Sequence, residues 1–189
     1  GVMTYANGDK YSGQWRNDKM DGSGTFYYEG GDIYNGSFKN GLRDGSGVFS
    51  WANGDSYEGQ YKDNLMNGYG VYTWASGNKY EGYYEKGARN GQGKLTLTTG
   101  ETYDGPWVDD KKDGTQGTLL YKNGDRYSGP FAGNLPDTRA KDAEGKFITN
   151  ENRKYTHEVQ AIYTYSSGRI YTGYFEAGKI VTVDGTPVD

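Results

Sequence analysis

A tyrosine followed two residues later by glycine occurs at Tyr11, Tyr34, Tyr57 and Tyr80, each 23 residues after the last. A fixed period in this range marks a tandem array, whose core grows by stacking units and not around one centre. The stretch from Tyr57 to Gly77 shows one full unit, Y-x-G-x-Y-x-x-N-x-x-x-G-x-G-x-Y-x-W-x-x-G. Residues 1–11 read as the second half of such a unit. A fifth unit begins at Tyr103 with one extra residue, Gly114 and Gly117 standing for G-x-G, and a sixth begins at Tyr127.

Two segments in each unit alternate with period two, the pattern of half-buried strands. The first places Tyr34-Gly36-Phe38, Tyr57-Gly59-Tyr61 and their equivalents on one face, with polar residues such as Glu58, Gln60 and Lys62 between. The second places Gly24-Phe26-Tyr28, Gly47-Phe49-Trp51, Gly70-Tyr72-Trp74, Gly93-Leu95-Leu97 and Gly117-Leu119-Tyr121 on one face. A glycine between aromatic residues leaves space for a neighbouring ring to lie flat, so a larger residue there is expected to clash. The 32 glycines and 20 tyrosines are thus periodic, which argues for order and against low complexity.

Asn7-Gly8, Gly30-Gly31, Asn53-Gly54, Ser76-Gly77 and Asn123-Gly124 mark turns between units. The connection inside each unit, such as Asn40–Gly45, reads as longer. The expected fold is all-β: an elongated single-layer antiparallel sheet of tandem 23-residue hairpins, seven to eight of them. At about 4.8 Å per strand this makes a rod on the order of 65–75 Å. Residues 1–189 read as one array, regular over 1–131, with a lengthened loop at 132–146 and degenerate, capping repeats at 147–189.

In that last part a strand is expected at Gly145-Lys146-Phe147. Tyr155 reads as a further repeat start with Asn152 and His157 in glycine slots. A long strand is expected from Tyr155 to Tyr165, with His157, Val159, Ala161 and Tyr163 on one face. The end reads as Tyr171–Gly178, a strand at 180–183, a turn at Asp184-Gly185 and a closing segment at 186–188. Gly1 falls inside a repeat, so the chain reads as a piece or processed form of a longer one.

The recurring Y-x-G-x-W/F/Y-x-x-G/N/D-x-x-x-G-x-G pattern resembles the MORN repeat (membrane occupation and recognition nexus), closely over 1–131 and in degenerate form over 145–178. The resemblance implies a twisted antiparallel sheet and a non-catalytic module. Members of that family hold membranes together, accompany enzymes such as lipid kinases, or build scaffolds, and some dimerise end to end. The repeat motif contains no catalytic residues to carry over.

The residues themselves point the same way. The lone His157 lacks a second histidine or any cysteine with which to form a dyad or a zinc site, and reads as a packing residue. Asp109–Gly114 lacks the carboxylate spacing of a calcium loop and reads as a turn. Glu58 and Glu81 recur on the polar face without the cleft that paired-carboxylate chemistry needs. No catalytic residue, cofactor or metal is therefore expected.

What remains is a binding surface. The best candidates are the aromatic positions Phe26, Tyr28, Phe49, Trp51, Tyr72 and Trp74, followed by Met20, Leu42, Leu65 and Met66 as apolar residues in polar connections. A protein partner is expected, including a second copy through free sheet edges. A phospholipid surface and a cell-surface glycan are the alternatives. The net charge of −4, without a basic cluster, weighs against anionic membranes and against nucleic acid. No apolar run is long enough to span a bilayer. The compartment reads as cytoplasmic or membrane-associated, or the cell surface for an exported bacterial chain.

Overall fold

Alternating aromatic and polar residues favour strands, because a pleated chain sends successive side chains to opposite faces. The computed structural model describes residues 1–139, 146–147 and 159–181, and among these every regular element is a β-strand. The chain divides into two units, Gly1–Thr98 and Thr99–Asp189.

The first unit is an open antiparallel meander. Its strands are β1 (Val2–Thr4), β2 (Lys10–Arg16), β3 (Lys19–Tyr27), β4 (Ile33–Lys39) and β5 (Leu42–Ser50), followed by β6 (Ser56–Lys62), β7 (Leu65–Thr73), β8 (Lys79–Glu85) and β9 (Ala88–Thr96). Each pairs with its sequence neighbours. The glycines meet across the ladder, Gly36 opposite Gly47, Gly47 opposite Gly59, and Gly59 opposite Gly70.

The turns between units are as expected. Gly54 has φ +93, its N–H bonds to the Trp51 carbonyl at 3.0 Å, and Asp55 closes the loop through its carbonyl to Trp51 N. The connections inside the repeats differ from expectation. They are two-residue turns at Asn17-Asp18, Asn40-Gly41, Asp63-Asn64 and Lys86-Gly87, with positive φ at both positions. The polar stretch that follows is the start of a nine-residue strand, bent by a register shift opposite Gly36/Phe38 and its equivalents. Met20, Leu42, Leu65 and Met66 are accordingly strand residues, not loop residues.

Asx side chains bridge one repeat to the next along both edges of the sheet. Asp9, Asp32, Asp55 and Asn78 accept the backbone N–H of Glu29, Ala52, Ala75 and Thr98, at 2.8–2.9 Å. On the other edge Asp21 and Asn67 accept from Asn40 and Lys86. The Ala75 N–H and the Tyr72 hydroxyl hold the Asp55 carboxyl below its ordinary pKa. The charged form is therefore favoured in the folded state. Its contribution is full above the unfolded carboxylate pKa of about 4 and is lost as pH falls through it. Asp55→Asn, which copies the natural Asn78, is expected to keep the backbone bond and to flatten the loss of stability below about pH 5. Denaturant midpoints measured against pH for both proteins check this; parallel curves would refute it.

The second unit holds β10 (Thr102–Val108), β11 (Lys111–Lys112), β12 (Gly114–Leu120), β13 (Arg126–Ala132) and β14 (Leu135–Pro136), followed by β15 (Ala161–Thr164), β16 (Ile170–Glu176) and β17 (Lys179–Val181). The extra residue near Gly114 appears as a register shift between Gly114 and Gly117.

The sixth repeat departs from the sequence expectation. Its second strand is split into β14 and β15, both paired to β13. Tyr127 lies opposite Tyr163, as Tyr34 lies opposite Phe49, so Ala161 takes the place of Gly47 and Tyr163 that of Phe49. Tyr127 and Tyr171 are 44 residues apart where regular tyrosines are 23 apart, so 21 residues are inserted within this one repeat. The insertion leaves after Thr138, which stands where regular repeats have the glycine at Gly45. The Thr138 N–H donates to Phe175 O, and its hydroxyl accepts from Phe175 N.

No strand forms at Lys146-Phe147, where Phe147 makes only an isolated bridge. The strand expected from Tyr155 begins, among the described residues, at Ala161, with Val159 exposed outside it. The physical reason lies in β13. Ala132 and Phe131 are already paired to Leu135 and Pro136, which leaves only the far half of β13 to receive β15. Asn152, Tyr155, His157, the 182–183 end of the last strand, the Asp184-Gly185 turn and the closing 186–188 segment lie outside the described residues.

Candidate binding face

In the first unit the two faces of the sheet differ in chemistry. On one, Tyr11, Tyr34, Tyr57 and Tyr80 have no exposed surface, with Phe38, Tyr61 and Tyr84 buried beside them. Each ring lies flat over the glycines of its own and the following strand. A Cβ on Gly47 would come within 2.5 Å of the Tyr34 Cε2 and Cζ, and one on Gly70 equally close to Tyr57. The hydroxyls donate to the carbonyl three residues on, Tyr34 to Ser37 and Tyr57 to Gln60, both at 3.0 Å. Edge-on contacts at 5.1–5.3 Å lock Tyr34 and Tyr57 each between the second aromatic of its own strand and its equivalent in the next repeat. These rings are the core.

Burial pushes the Tyr34 and Tyr57 phenols up to about 12, opposed by Arg43 beside the first and by the bond to Gln60 O on the second. A raised folded pKa favours the protonated form. Its stabilisation is full below the free phenol's pKa of about 10 and is lost as pH rises toward about 12, because the unfolded chain ionises first. These tyrosines are expected to ionise only as β circular dichroism is lost. Tyrosinate absorbance from them with the sheet intact would contradict this.

The six sequence candidates sit along the edge of the same face. Their rings form one unbroken ladder that begins at Tyr5: Tyr5–Phe26 at 5.8 Å, Phe26–Tyr28 at 4.5 Å, Tyr28–Phe49 at 5.7 Å, Phe49–Trp51 at 4.5 Å, Trp51–Tyr72 at 5.2 Å and Tyr72–Trp74 at 4.8 Å. Phe49 is buried and belongs to the core; the other five are half-buried and keep a face toward solvent. The Tyr72 hydroxyl donates to Asp55 Oδ2 at 2.8 Å, so this ring is fixed by a repeat-to-repeat bridge.

The sequence reading missed two contributors. Tyr5 is the first rung of the ladder. Arg43 lies over the rings of Tyr34, Phe49 and Tyr61 at 5.2–5.6 Å and is held by Nη2 donating to the Asn64 carbonyl at 2.9 Å. The signal for Arg43 was in the register: Met20, Arg43, Met66, Arg89 and Lys112 recur at the repeat period, on the face where the tyrosine rings need a cover.

Glu58 lies exposed on the opposite face, and Glu81, half-buried there, pairs with Lys79 at 3.0 Å. Asp109 and Asp110 form a positive-φ turn. Among the described residues no group of three or more His, Cys, Asp or Glu is placed to hold a metal. No helix there is long and apolar enough to cross a membrane.

Residues 1–10, 11–33, 34–56, 57–79, 80–102 and 103–126 each match the family model of the MORN repeat. The chain belongs to the MORN-repeat family. The matched repeats run from tyrosine to tyrosine, in the register of the buried column, and stop before the sixth hairpin that carries the insertion. No curated protein matches the chain. Solved structures similar to it include the TCP domain of Drosophila melanogaster SAS-4 (dCPAP) in complex with a proline-rich motif of Ana2 (dSTIL), at 17% identity and TM-score 0.40 over 93% of this chain and 89% of that one. The TCP10 domain of Danio rerio CPAP in complex with a STIL peptide is similar at 14% identity and TM-score 0.40, over 96% and 91%. Virginiamycin B lyase from Staphylococcus aureus follows at 11% and 0.20, over 95% and 57%. At such TM-scores these likenesses carry no argument about what this MORN array binds or does.

Proposed function

We propose that this chain is a non-enzymatic repeat scaffold, one array over residues 1–189, that docks a protein partner on the aromatic ladder of its first unit. The observation that supports this is the continuity of the ladder. Phe26, Tyr28, Phe49, Trp51, Tyr72 and Trp74 make a single strip of touching rings, five of them half open to solvent. Rigid aromatic anchors held side by side are the residues on which protein interfaces concentrate their affinity. A contiguous apolar strip on an otherwise polar chain favours a partner over solvent.

The test is affinity capture with the chain and with a Trp51→Ala/Trp74→Ala variant whose fold is verified by circular dichroism. A protein that the parent retains and the variant loses, with binding reproduced from purified components and weakened by about tenfold or more, is the expected result. Equal capture by both proteins would remove the ladder as the site. Sedimentation with anionic phospholipid vesicles separates the membrane alternative; against it stands the net charge of −4.

A further inference from the structure

The face opposite the tyrosines carries a second, chemically different feature. Between two rows of side chains on this face runs a channel floored by backbone. Gly36, Gly47 and Gly59 are its floor, in register across β4, β5 and β6. One wall runs Asn35, Val48, Glu58, Val71 in successive cross-strand pairs. The other holds Ser46 opposite Gln60, with Tyr69 on the next strand. The groove encloses about 500 Å³. Tyr69 is 51% exposed, and its ring stands 5.6 Å from that of the equally exposed Tyr83 at 77°. Gln60 Nε2 donates to Ser46 Oγ at 2.9 Å, which fixes the amide at the wall.

This lining selects its occupant. The groove runs across the strands, and the backbone groups of its floor are committed to the ladder, so a peptide lying in it gains none of the main-chain bonds of strand addition. Recognition rests on side chains. Hydroxyl and amide groups, each able to donate and accept, suit a ligand whose own groups do both. Glu58 is the one charge in the lining, which disfavours phosphate and anionic headgroups. An exposed tyrosine offers an apolar ring face with a polar tip. The hairpin repeat that the groove crosses is two strands wide, about 10 Å, close to the length of a disaccharide. We infer that this glycine-floored groove binds a neutral, linear β-linked glycan, with Tyr69 against a sugar ring and Asn35, Ser46, Glu58 and Gln60 bonding its hydroxyls.

The full chain titrated with cellohexaose and with chitohexaose, followed by amide chemical shifts, tests this. The expected result is shifts confined to β4–β7 with at least one sugar. Affinity should drop by about tenfold or more in Tyr69→Ala and in Gln60→Ala, hold in Tyr69→Phe, and be unchanged in Trp74→Ala. Tyr69 and Gln60 lie on the open face, and circular dichroism confirms that their variants fold. Absence of shifts with both sugars overturns the inference, as does Tyr69→Ala binding like the parent. Shifts produced only by an uncharged extended peptide overturn it too, and give the groove to a protein. Because Trp74 lies on the opposite face, failure here leaves the ladder proposal standing, and failure of the ladder leaves this one standing.

Discussion

Gly47→Ala is expected to cost about 2–4 kcal/mol of stability, from overpacking and a lost hydrogen bond. The new Cβ would fall within 2.5 Å of the Tyr34 Cε2 and Cζ, in a ring that has no exposed surface and is pinned on three sides. Its hydroxyl is tied to Ser37 O at 3.0 Å, and Phe38 and Tyr61 close on it edge-on at 5.1 and 5.2 Å. The ring cannot slide, so either the strand pair separates or the tyrosine leaves the core. For a unit of this size a loss of that magnitude lowers the melting temperature by about 10 °C or more. Gly30→Ala is the matched control. Nothing lies within 4 Å of its Cβ and its φ is not positive, so it is expected to change stability by no more than about 1 kcal/mol. Thermal and urea unfolding of the two variants decides the matter. Similar midpoints would mean that the repeat glycines serve chain flexibility and not ring packing.

That packing role could be read in the sequence because it needs only two facts. Alternate strand residues share a face, and a ring cannot lie over a side chain. The turns between units were legible for the same kind of reason, in that Gly54 and Gly31 supply the positive φ a short hairpin demands. The turns inside the repeats were misread although the signal was present at Asn40-Gly41. The polar run after it, Arg43-Asp44-Gly45, looked like loop. In the structure that run is strand, polar because a one-layer sheet leaves its ends and one face in water.

The ladder was legible residue by residue, but its continuity was not. Contacts such as Tyr28–Phe49 and Trp51–Tyr72 join neighbouring repeats at 5.7 and 5.2 Å, and depend on cross-strand register. The insertion was hardest. Its residues carry a tyrosine and a histidine at a spacing that mimics a decayed repeat, and only pairing partners tell a split strand from two short ones. Tyr163 opposite Tyr127 settles the register, and nothing local at Tyr155 could have announced it.

The point at which the insertion leaves the sheet carries the second large expected effect. Asp137 and Arg139 form an ion pair whose side chains are 1% and 13% exposed. Asp137 accepts from Arg139 N at 3.0 Å and from Nε at 2.9 Å, and its Oδ2 also accepts from Ala177 N at 3.1 Å, in the β16–β17 turn. In the regular repeats the equivalent Asx bridges to the next turn, as Asn67 does to Lys86. Here the same bridge also holds the guanidinium, which lies 3.7 Å above the Phe147 ring. Asp137→Ala removes the carboxylate that accepts from Arg139 and from Ala177 N. The expected cost is about 3–5 kcal/mol, the range for breaking a buried pair from one side. Arg139→Met added to Asp137→Ala removes the other charge of the pair while keeping an apolar stem beside Phe147, and is expected to recover part of that loss. Hydrogen exchange localises the effect: amides of Phe175 and Ala177 should lose protection in Asp137→Ala while those of β4–β7 keep theirs. A cost below about 1 kcal/mol would place the pair among surface ion pairs that hold little. A double variant less stable than the single one would show that Arg139 stabilises the exit through contacts other than Asp137.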